Sequence, residues 1–486
     1  MTITDLKPSR VWQIFHEITQ VPRPSGNLDK IRNWLVSFAQ KHGLEYKIDQ
    51  VGNVAIFRPA APGFENAKKV VLQGHMDMVA EKTSNSNHDF NNDPIQTIID
   101  GEWVRANNTT LGADDGLGLA IALAAITDPD IKCGALEALA TVDEETGLTG
   151  ASNIKPDMLQ GDYLLNLDSE DDGVITIGCA GGLVSIATFD YKPTPAQAGL
   201  IFFELSLLSL HGGHSGTDIN CGYASATKLI ARLLWTIKQD IPFQLACIDS
   251  GNLHNAISRD AKAVIGINPA DKEKLAVIFN RFVAEIQNEY RHTEKNMDCR
   301  CVSVDAPETV IDCDTASRLI DAVFVAPHGV YSMSLEMEGL VETSTNLASV
   351  KMRPDNKLVI EGFHRSAVES RKMELANQME TIFRLAGASV TNEGGYQGWE
   401  PDTNSRILNI AIDCWNNLYG VKPKVEAIHA GLECGLFLKV CPHMDMISYG
   451  PTLKDVHSPQ ERCHIPAVQK GWDFTVAILN AVAQEK

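Results

Sequence analysis

Two adjacent carboxylates, Asp114 and Asp115, sit inside the glycine-rich stretch Gly112-Ala113-Asp114-Asp115-Gly116-Leu117-Gly118, just ahead of an apolar run from Leu119 to Ile126. Glycine lets a turn come close to a ligand, so acid at such a strand-to-helix junction suits a cation. Taken alone, an aspartate here would more often be a helix N-cap. Its company changes that reading. Val70-Val71-Leu72 leads into His75 and Asp77, and Leu136-Glu137-Ala138-Leu139-Ala140 leads into Asp143-Glu144-Glu145. Leu164-Leu165-Asn166-Leu167 leads into Asp168, and Met446-Ile447-Ser448 precedes a short loop with His457. Each apolar segment delivers metal-type side chains at its C-terminal side. A mixture of imidazole and carboxylate suits Zn, and also Co or Mn, better than Mg or Ca. Asp77, two residues after His75, is placed to take the second ring N–H of a metal-bound imidazole and fix its tautomer.

The elements that must position these groups are short β-rich runs alternating with helical ones. That order makes an α/β domain with a mostly parallel sheet and helices on both faces, whose ligands gather beyond the carboxyl ends of the strands. Helical spacing covers Val11, Trp12, Ile14, Phe15 and Ile18, ending before Pro22, and a second helix runs from about Asn27 to His42 with Gly43 at its end. Strands are expected near 45–49, 53–58 and 69–73. From about Val184 to Tyr396 the character changes: strand-like runs (202–210, 243–248, 263–267, 357–362) mix with helical ones (224–238, 272–288, 368–385). The metal-bearing theme returns only with Glu433 and His457, so the intervening segment reads as an insertion. The expected organisation is a catalytic domain in two parts, 1–183 and 397–486, interrupted by an α+β lid domain, 184–396.

At 486 residues the chain exceeds one ordinary core. Its net charge of −20, without a Lys/Arg cluster, argues against a nucleic-acid partner. Eleven scattered cysteines do not form a disulfide framework and read as reduced thiols. The N-terminus lacks the pattern of a secretory signal, and no apolar run reaches the roughly 18 residues a membrane span needs. A cytoplasmic protein with no membrane association is expected.

The run His75-Met76-Asp77, with Gly112-Ala113-Asp114-Asp115-Gly116, Asp143-Glu144-Glu145-Thr146-Gly147 and Asn166-Leu167-Asp168-Ser169-Glu170, resembles the dinuclear zinc peptidases of the M20 clan. Within it the chain is most similar to the bacterial cytosolic aminoacylhistidine (Xaa-His) dipeptidases. Supporting stretches are His88-Asp89-Phe90, Asp93-Pro94-Ile95-Gln96, Gly178-Cys179-Ala180-Gly181-Gly182, His211-Gly212-Gly213-His214-Ser215-Gly216 and His457-Ser458-Pro459. The resemblance spans essentially the whole chain.

The resemblance implies two Zn2+ per chain, with Co2+ or Mn2+ as substitutes. His75 and Asp168 would hold one, Glu145 and His457 the other, and Asp114 would bridge them. Asp77 would orient His75, Glu144 would be the general acid/base, and Asp115 would be a turn or cap residue. The implied reaction is hydrolysis of unblocked dipeptides, including Xaa-His, by a zinc-activated hydroxide: paired cations lower the pKa of a shared water toward about 7 and polarise the scissile carbonyl. Glu144 would relay the proton to the leaving amine.

In the lid, the resemblance makes His214 an oxyanion donor, and Asn255 and Arg365 contacts of the substrate's C-terminal carboxylate, for which a guanidinium's planar fork is suited. Glu433, in Gly431-Leu432-Glu433-Cys434-Gly435, would sit near the free amine. The lid is nearly twice as long as in smaller clan members, which dimerise through it, and could imitate a partner subunit within one chain; a homodimer is the implied assembly. Competing readings are a related aminoacylase, tripeptidase or amidohydrolase, and a metal-dependent binding protein with an inactive site, against which Glu144 argues because binding alone needs no base.

Overall fold

In the computed structural model, which describes Thr2 to Glu485, the four ligand-bearing segments form four adjacent strands: Leu136–Thr141, Val70–His75, Tyr163–Asn166 and Asp445–Ser448. They run parallel, with His75 opposite Thr141, Gln73 opposite Asn166 and Asn166 opposite Ser448. Nearly every residue along them is buried, which is why they read as continuous apolar runs rather than alternating ones. Parallel register puts all four carboxyl ends on one edge, and the loops leaving that edge carry the chemistry.

The flanks of this centre include antiparallel pairs. The full sheet has eight strands in the order Glu45–Ile48, Val54–Arg58, Leu136–Thr141, Val70–His75, Tyr163–Asn166, Asp445–Ser448, Val174–Cys179, Lys424–Ile428. The first two pair antiparallel with each other and with Leu136–Thr141, and Val174–Cys179 meets Asp445–Ser448 antiparallel. The mostly parallel sheet expected from the sequence is therefore a mixed sheet with a parallel core, because a tight turn around Gly52 returns the chain as a hairpin rather than through a crossover helix. The Gly112 motif opens the helix Ala113–Thr127, whose backbone departs from helical geometry at Asp114 and Asp115 and whose remaining Ala, Leu and Ile positions are buried. Amphipathic helices Ser9–Thr19 and Asp29–Lys41 occupy the expected segments.

This first unit comprises Met1–Gly178, Trp399–Ala427 and Leu432–Lys486. It also holds a four-stranded sheet of Leu453–Lys454, Arg462–His464, Trp103–Ala106 and Thr97–Asp100. Strands of two to four residues leave too little alternation to read from sequence.

The second unit comprises Cys179–Gly398 and Ile428–Gly431, so the chain re-enters it briefly after returning to the first. Nothing in the sequence announces that excursion. Its main sheet has nine strands among the described residues, all paired antiparallel, beside a two-stranded antiparallel sheet of Pro193–Pro195 and Thr309–Ile311. In the main sheet Phe243–Ser250 meets Val341–Arg353 through the pair Ser250 and Val350. In Ile201–Leu208, for example, Phe203, Leu205 and Leu207 point into the apolar core while Glu204 and Ser206 hydrogen-bond on the other face. Helices Ala226–Asp240, Lys272–Glu289, Cys313–Val325 and Glu369–Leu385 close that core with Leu233, Phe282, Leu319 and Phe383. Among the described residues no helix is long and apolar enough to cross a membrane, and no disulfide joins two cysteines.

Candidate active site

Beyond the carboxyl edge of the parallel strands, His75, Asp114 and Asp168 have ligand atoms within 4.8 Å of one another, and so do Asp114, Glu145 and His457. Asp114 belongs to both sets and faces each with a different oxygen: Oδ1 lies 3.0 Å from His75 Nε2, and Oδ2 lies 3.1 Å from His457 Nε2. His75 Nε2 is also 3.4 Å from Asp168 Oδ1, and His457 Nε2 is 3.0 Å from Glu145 Oε2. All five residues that the sequence nominated as ligands are thus brought together.

Asp77 lies with its Oδ1 3.5 Å from His75 Nδ1, which has no hydrogen-bond partner among the described residues. It accepts the backbone N–H groups of Glu144 (3.1 Å) and Glu145 (3.3 Å) and the Ser25 hydroxyl (2.8 Å), so one carboxylate behind the imidazole holds the turn with both glutamates. Asp143 precedes that turn with φ 49°, and its carboxylate accepts from Gly26 N at 2.6 Å. Glu145 faces His457, while Glu144 lies with Glu145 and His75 in a third group whose ligand-type atoms are within 4.8 Å of one another, without a side-chain hydrogen bond to either.

The charge balance favours a bound cation. Burial, reinforced by neighbouring carboxylates, pushes Asp168 up to about 7 and Glu144 well above the usual carboxylate range. Burial also opposes ionisation of Asp114, but hydrogen bonds from His457 and His75 outweigh it and hold this carboxyl well below its ordinary value. His457 is pushed up to about 11 by Asp114 and Glu145. Imidazole and carboxylate on their own satisfy one another only by taking up protons. Cations relieve the same crowding, and the buried Glu145 Oε1 has no hydrogen-bond partner within the protein. The residues present therefore fit metal ions.

Asp115 is the cap expected of it, accepting the Gly118 N–H at 2.9 Å. It is buried against glycine backbone, and a Cβ at Gly74 or Gly118 would come within 2.0 or 2.2 Å of its oxygens. These two glycines make room for a carboxylate.

The sequence did not reveal a row of polar side chains crossing the parallel strands. Glu433 Oε2 accepts from Gln73 (2.6 Å) and Thr141 (2.8 Å), Gln73 accepts from Asn166 (2.6 Å), Asn166 accepts from Ser448, and Ser448 bonds Ser169 (2.7 Å). Glu433 was nominated from its motif, but Gln73, Thr141, Asn166 and Ser448 were hidden inside apolar runs, where a single polar residue every strand gives no periodic signal. Glu433 is buried and raised to about 7 by that burial, and its Oε1 has no hydrogen-bond partner.

Within the second unit, His214, Arg365, Tyr396 and His429 cluster. His214 Nδ1 accepts the backbone N–H groups of Gly216 (3.2 Å) and Thr217 (3.1 Å), so its proton resides on Nε2. Arg365 Nη2 lies 3.3 Å from that Nε2, while Nε donates to Ser215 Oγ and Nη1 to Tyr396 Oη, each at 3.2 Å. Two donors side by side, with no acceptor between them, call for an anion. Burial and then the Arg365 charge hold His214 below its ordinary value, so it is a neutral donor. His429, which sequence reasoning missed, hydrogen-bonds Ser344 Oγ through Nε2 at 2.7 Å, and burial with Arg365 holds it down to about 3. It lies two residues ahead of the Gly431 motif without any spacing that marks it. The Asn255 side chain is exposed, and its backbone carbonyl accepts the Ser215 N–H at 2.8 Å.

Residues 71–481 match the model for peptidase family M20/M25/M40. The chain is 38% identical over 480 residues to the cytosol non-specific dipeptidase of Escherichia coli strain K12, covering 99% of each. Among solved structures it is similar to aminoacylhistidine dipeptidase from Vibrio alginolyticus, with a TM-score of 0.92 and 41% identity over 99% of this chain and 98% of that one. A Staphylococcus aureus tripeptidase, at 16% identity and a TM-score of 0.57 over 99% of this chain and 100% of that one, shares the fold.

Proposed function

The chain belongs to peptidase family M20/M25/M40, a family of metal-dependent hydrolases, and from that premise we propose that it cleaves unblocked dipeptides, Xaa-His among them, using two Zn2+ held around Asp114. The observation that carries this reading is the sharing of Asp114 between two ligand sets, one oxygen facing each. His75 and Asp168 would hold one ion, and Glu145 and His457 the other. When bound, the ions supply Lewis acidity to the scissile carbonyl and acidify the attacking water.

Glu144 takes the proton from that water and returns it to the leaving amine. Support comes from its place beside His75 and Glu145, with ligand-type atoms within 4.8 Å of one another but no side-chain hydrogen bond to either, and from burial that keeps its carboxyl ready to hold a proton. His214 donates its Nε2–H to the carbonyl oxygen as negative charge develops, and the neutral tautomer set by Gly216 and Thr217 supports this role. Arg365 holds the substrate's carboxylate, with Asn255 beside it. Glu433 offers Oε1 to the free amine. The relatives' names, dipeptidases both, support the substrate class, and that of the Escherichia coli relative supports a cytosolic location.

The test is hydrolysis of a matched pair, a free Xaa-His dipeptide and its N-acetylated form, by metal-stripped protein with Zn2+ restored. Zinc-dependent cleavage of the free dipeptide alone is expected. Release of acetate from the blocked compound would move the protein to the deacylases.

A further inference from the structure

Two buried charged residues outside the ligand sets grip the turn that carries Asp114. Glu461, 2% exposed, accepts four consecutive backbone N–H groups, from Leu111 (2.7 Å), Gly112 (3.0 Å), Ala113 (2.7 Å) and Asp114 (3.3 Å). A concave row of amides of this kind normally holds an external anion; here a side chain fills it. Arg23, also 2% exposed, grips the same turn through its carbonyl face: Nη2 donates to Gly112 O, while Nη1 donates to Met76 O (3.1 Å) and to Asp77 O.

Each grip links a different pair of loops. Glu461 follows His457 by four residues, so its carboxylate ties the His457 loop to the Asp114 turn. Arg23 ties the loop after His75 to that turn, and its own backbone carbonyl accepts the Met78 N–H at 3.2 Å. The motif glycines fit this arrangement, since a Cβ at Gly112 or Gly116 would come within 2.6 or 2.5 Å of the Arg23 guanidinium. The residue common to both ligand sets is therefore fixed from both sides, once toward His75 and once toward His457.

We propose that Arg23 and Glu461 are a positioning pair that holds the Asp114 turn so that one carboxylate oxygen faces His75 and the other His457, the orientation needed to serve two metal ions at once. Neither touches substrate. The pair acts through the backbone of residues 111–114, so its loss weakens the sharing of Asp114 more than the fold. This inference rests on the two-metal reading above.

The test compares wild type with Glu461→Gln and Arg23→Lys as full-length chains. Glu461→Gln keeps the shape but turns an amide donor toward backbone donors, and Arg23→Lys keeps the charge but loses the planar fork. Zinc per chain is measured at buffered free Zn2+, together with the visible absorption of the Co2+ form and the kcat and KM for a free dipeptide. The expected result is chains that fold without metal but bind one of their two ions about 10- to 100-fold more weakly. The Co2+ absorption should change and kcat fall, with KM within about twofold of wild type. Glu461→Asp, too short to span four amides, decides the matter if Glu461→Gln does not fold. Variants that bind two ions with wild-type affinity and spectrum would overturn the proposal. So would failure of every variant to fold, which would assign the pair to stability alone. A wild-type chain that binds no second ion would instead overturn the two-metal reading itself.

Discussion

The two polar clusters of this protein are opposites in charge. In the first unit, Asp114, Asp168, Glu144 and Glu145 crowd around His75 and His457, with Asp77 close behind. In the second, Arg365, His214 and His429 meet, with the Ser215, Tyr396 and Ser344 hydroxyls and the backbone N–H groups of Gly216 and Thr217 as partners of their side chains. Burial pushes the carboxyls of the first set toward holding protons, and it pushes the histidines of the second toward losing them. An acid-rich cage is built to receive cations, whereas a donor-rich cluster kept neutral at its histidines is built to receive an anion. The backbone follows the same division. A parallel sheet gathers ligands from four strand ends, while an antiparallel sheet displays Arg365 from within a strand and His214 from a neighbouring turn.

The sharpest way to break this comparison is to remove the base from the acid-rich cluster. Glu144→Gln should lower kcat by about 10²- to 10⁴-fold while metal content stays at the wild-type value. Unchanged turnover would show that the proton is carried elsewhere. Next in size is the donor cluster: His214→Ala should cost about 10²- to 10³-fold in kcat with a smaller change in KM. Arg365→Lys should mainly raise KM, by about tenfold, because a point charge replaces a fork that pairs with a carboxylate. A kcat effect without a KM effect would place Arg365 at the reacting bond instead.

The smallest expected effect concerns stability. In the metal-free chain Asp168 and Glu433 each have folded-state values of about 7, above their ordinary 3.8 and 4.5. Their contribution is complete below pH about 4 and is lost as pH rises through about 7. His457, held up to about 11, changes in the same direction above its ordinary 6.5. Asp114, held low, loses its contribution only on acidification below its ordinary 3.8 and does not offset the others in this window. The histidines held below their ordinary 6.5, His429 and His214 among them, act in the opposite direction up to about that pH. The prediction is therefore a difference: between pH 5 and 7 the Tm of the metal-free wild type should fall relative to that of metal-free Asp168→Asn. Parallel Tm profiles for the two chains would contradict this account of the acid cluster.

Much of the cage was legible in the sequence because His75, the Asp143-Glu144-Glu145 run, Asp168 and His457 follow apolar strands at their C-terminal ends, where type and spacing carry meaning. The choice of Glu145 within its run, and of Asp114 over Asp115 at the helix start, came from the family resemblance. The supports were not legible. Arg23 lies in a loop beside two prolines, and Glu461 after His457 resembles any surface acid until the fold buries it against four amides. Gln73, Asn166 and Ser448 form their row only once the strands are in register, a long-range fact that no local pattern encodes. His429 joins the donor cluster through a four-residue excursion of the chain. The antiparallel flanks escaped for a related reason, since strand direction is decided by pairing partners rather than by the strand's own residues.

The most direct test of the central claim is a zinc titration of the metal-stripped chain, with zinc per chain and cleavage of a free Xaa-His dipeptide followed in the same samples, for wild type and Asp114→Asn. The account predicts two ions per wild-type chain, activity that depends on added zinc, and loss of both paired binding and most activity when Asp114 loses its second ligand oxygen. Full activity in the stripped chain, or two ions bound equally well by Asp114→Asn, would contradict a site organised around that carboxylate.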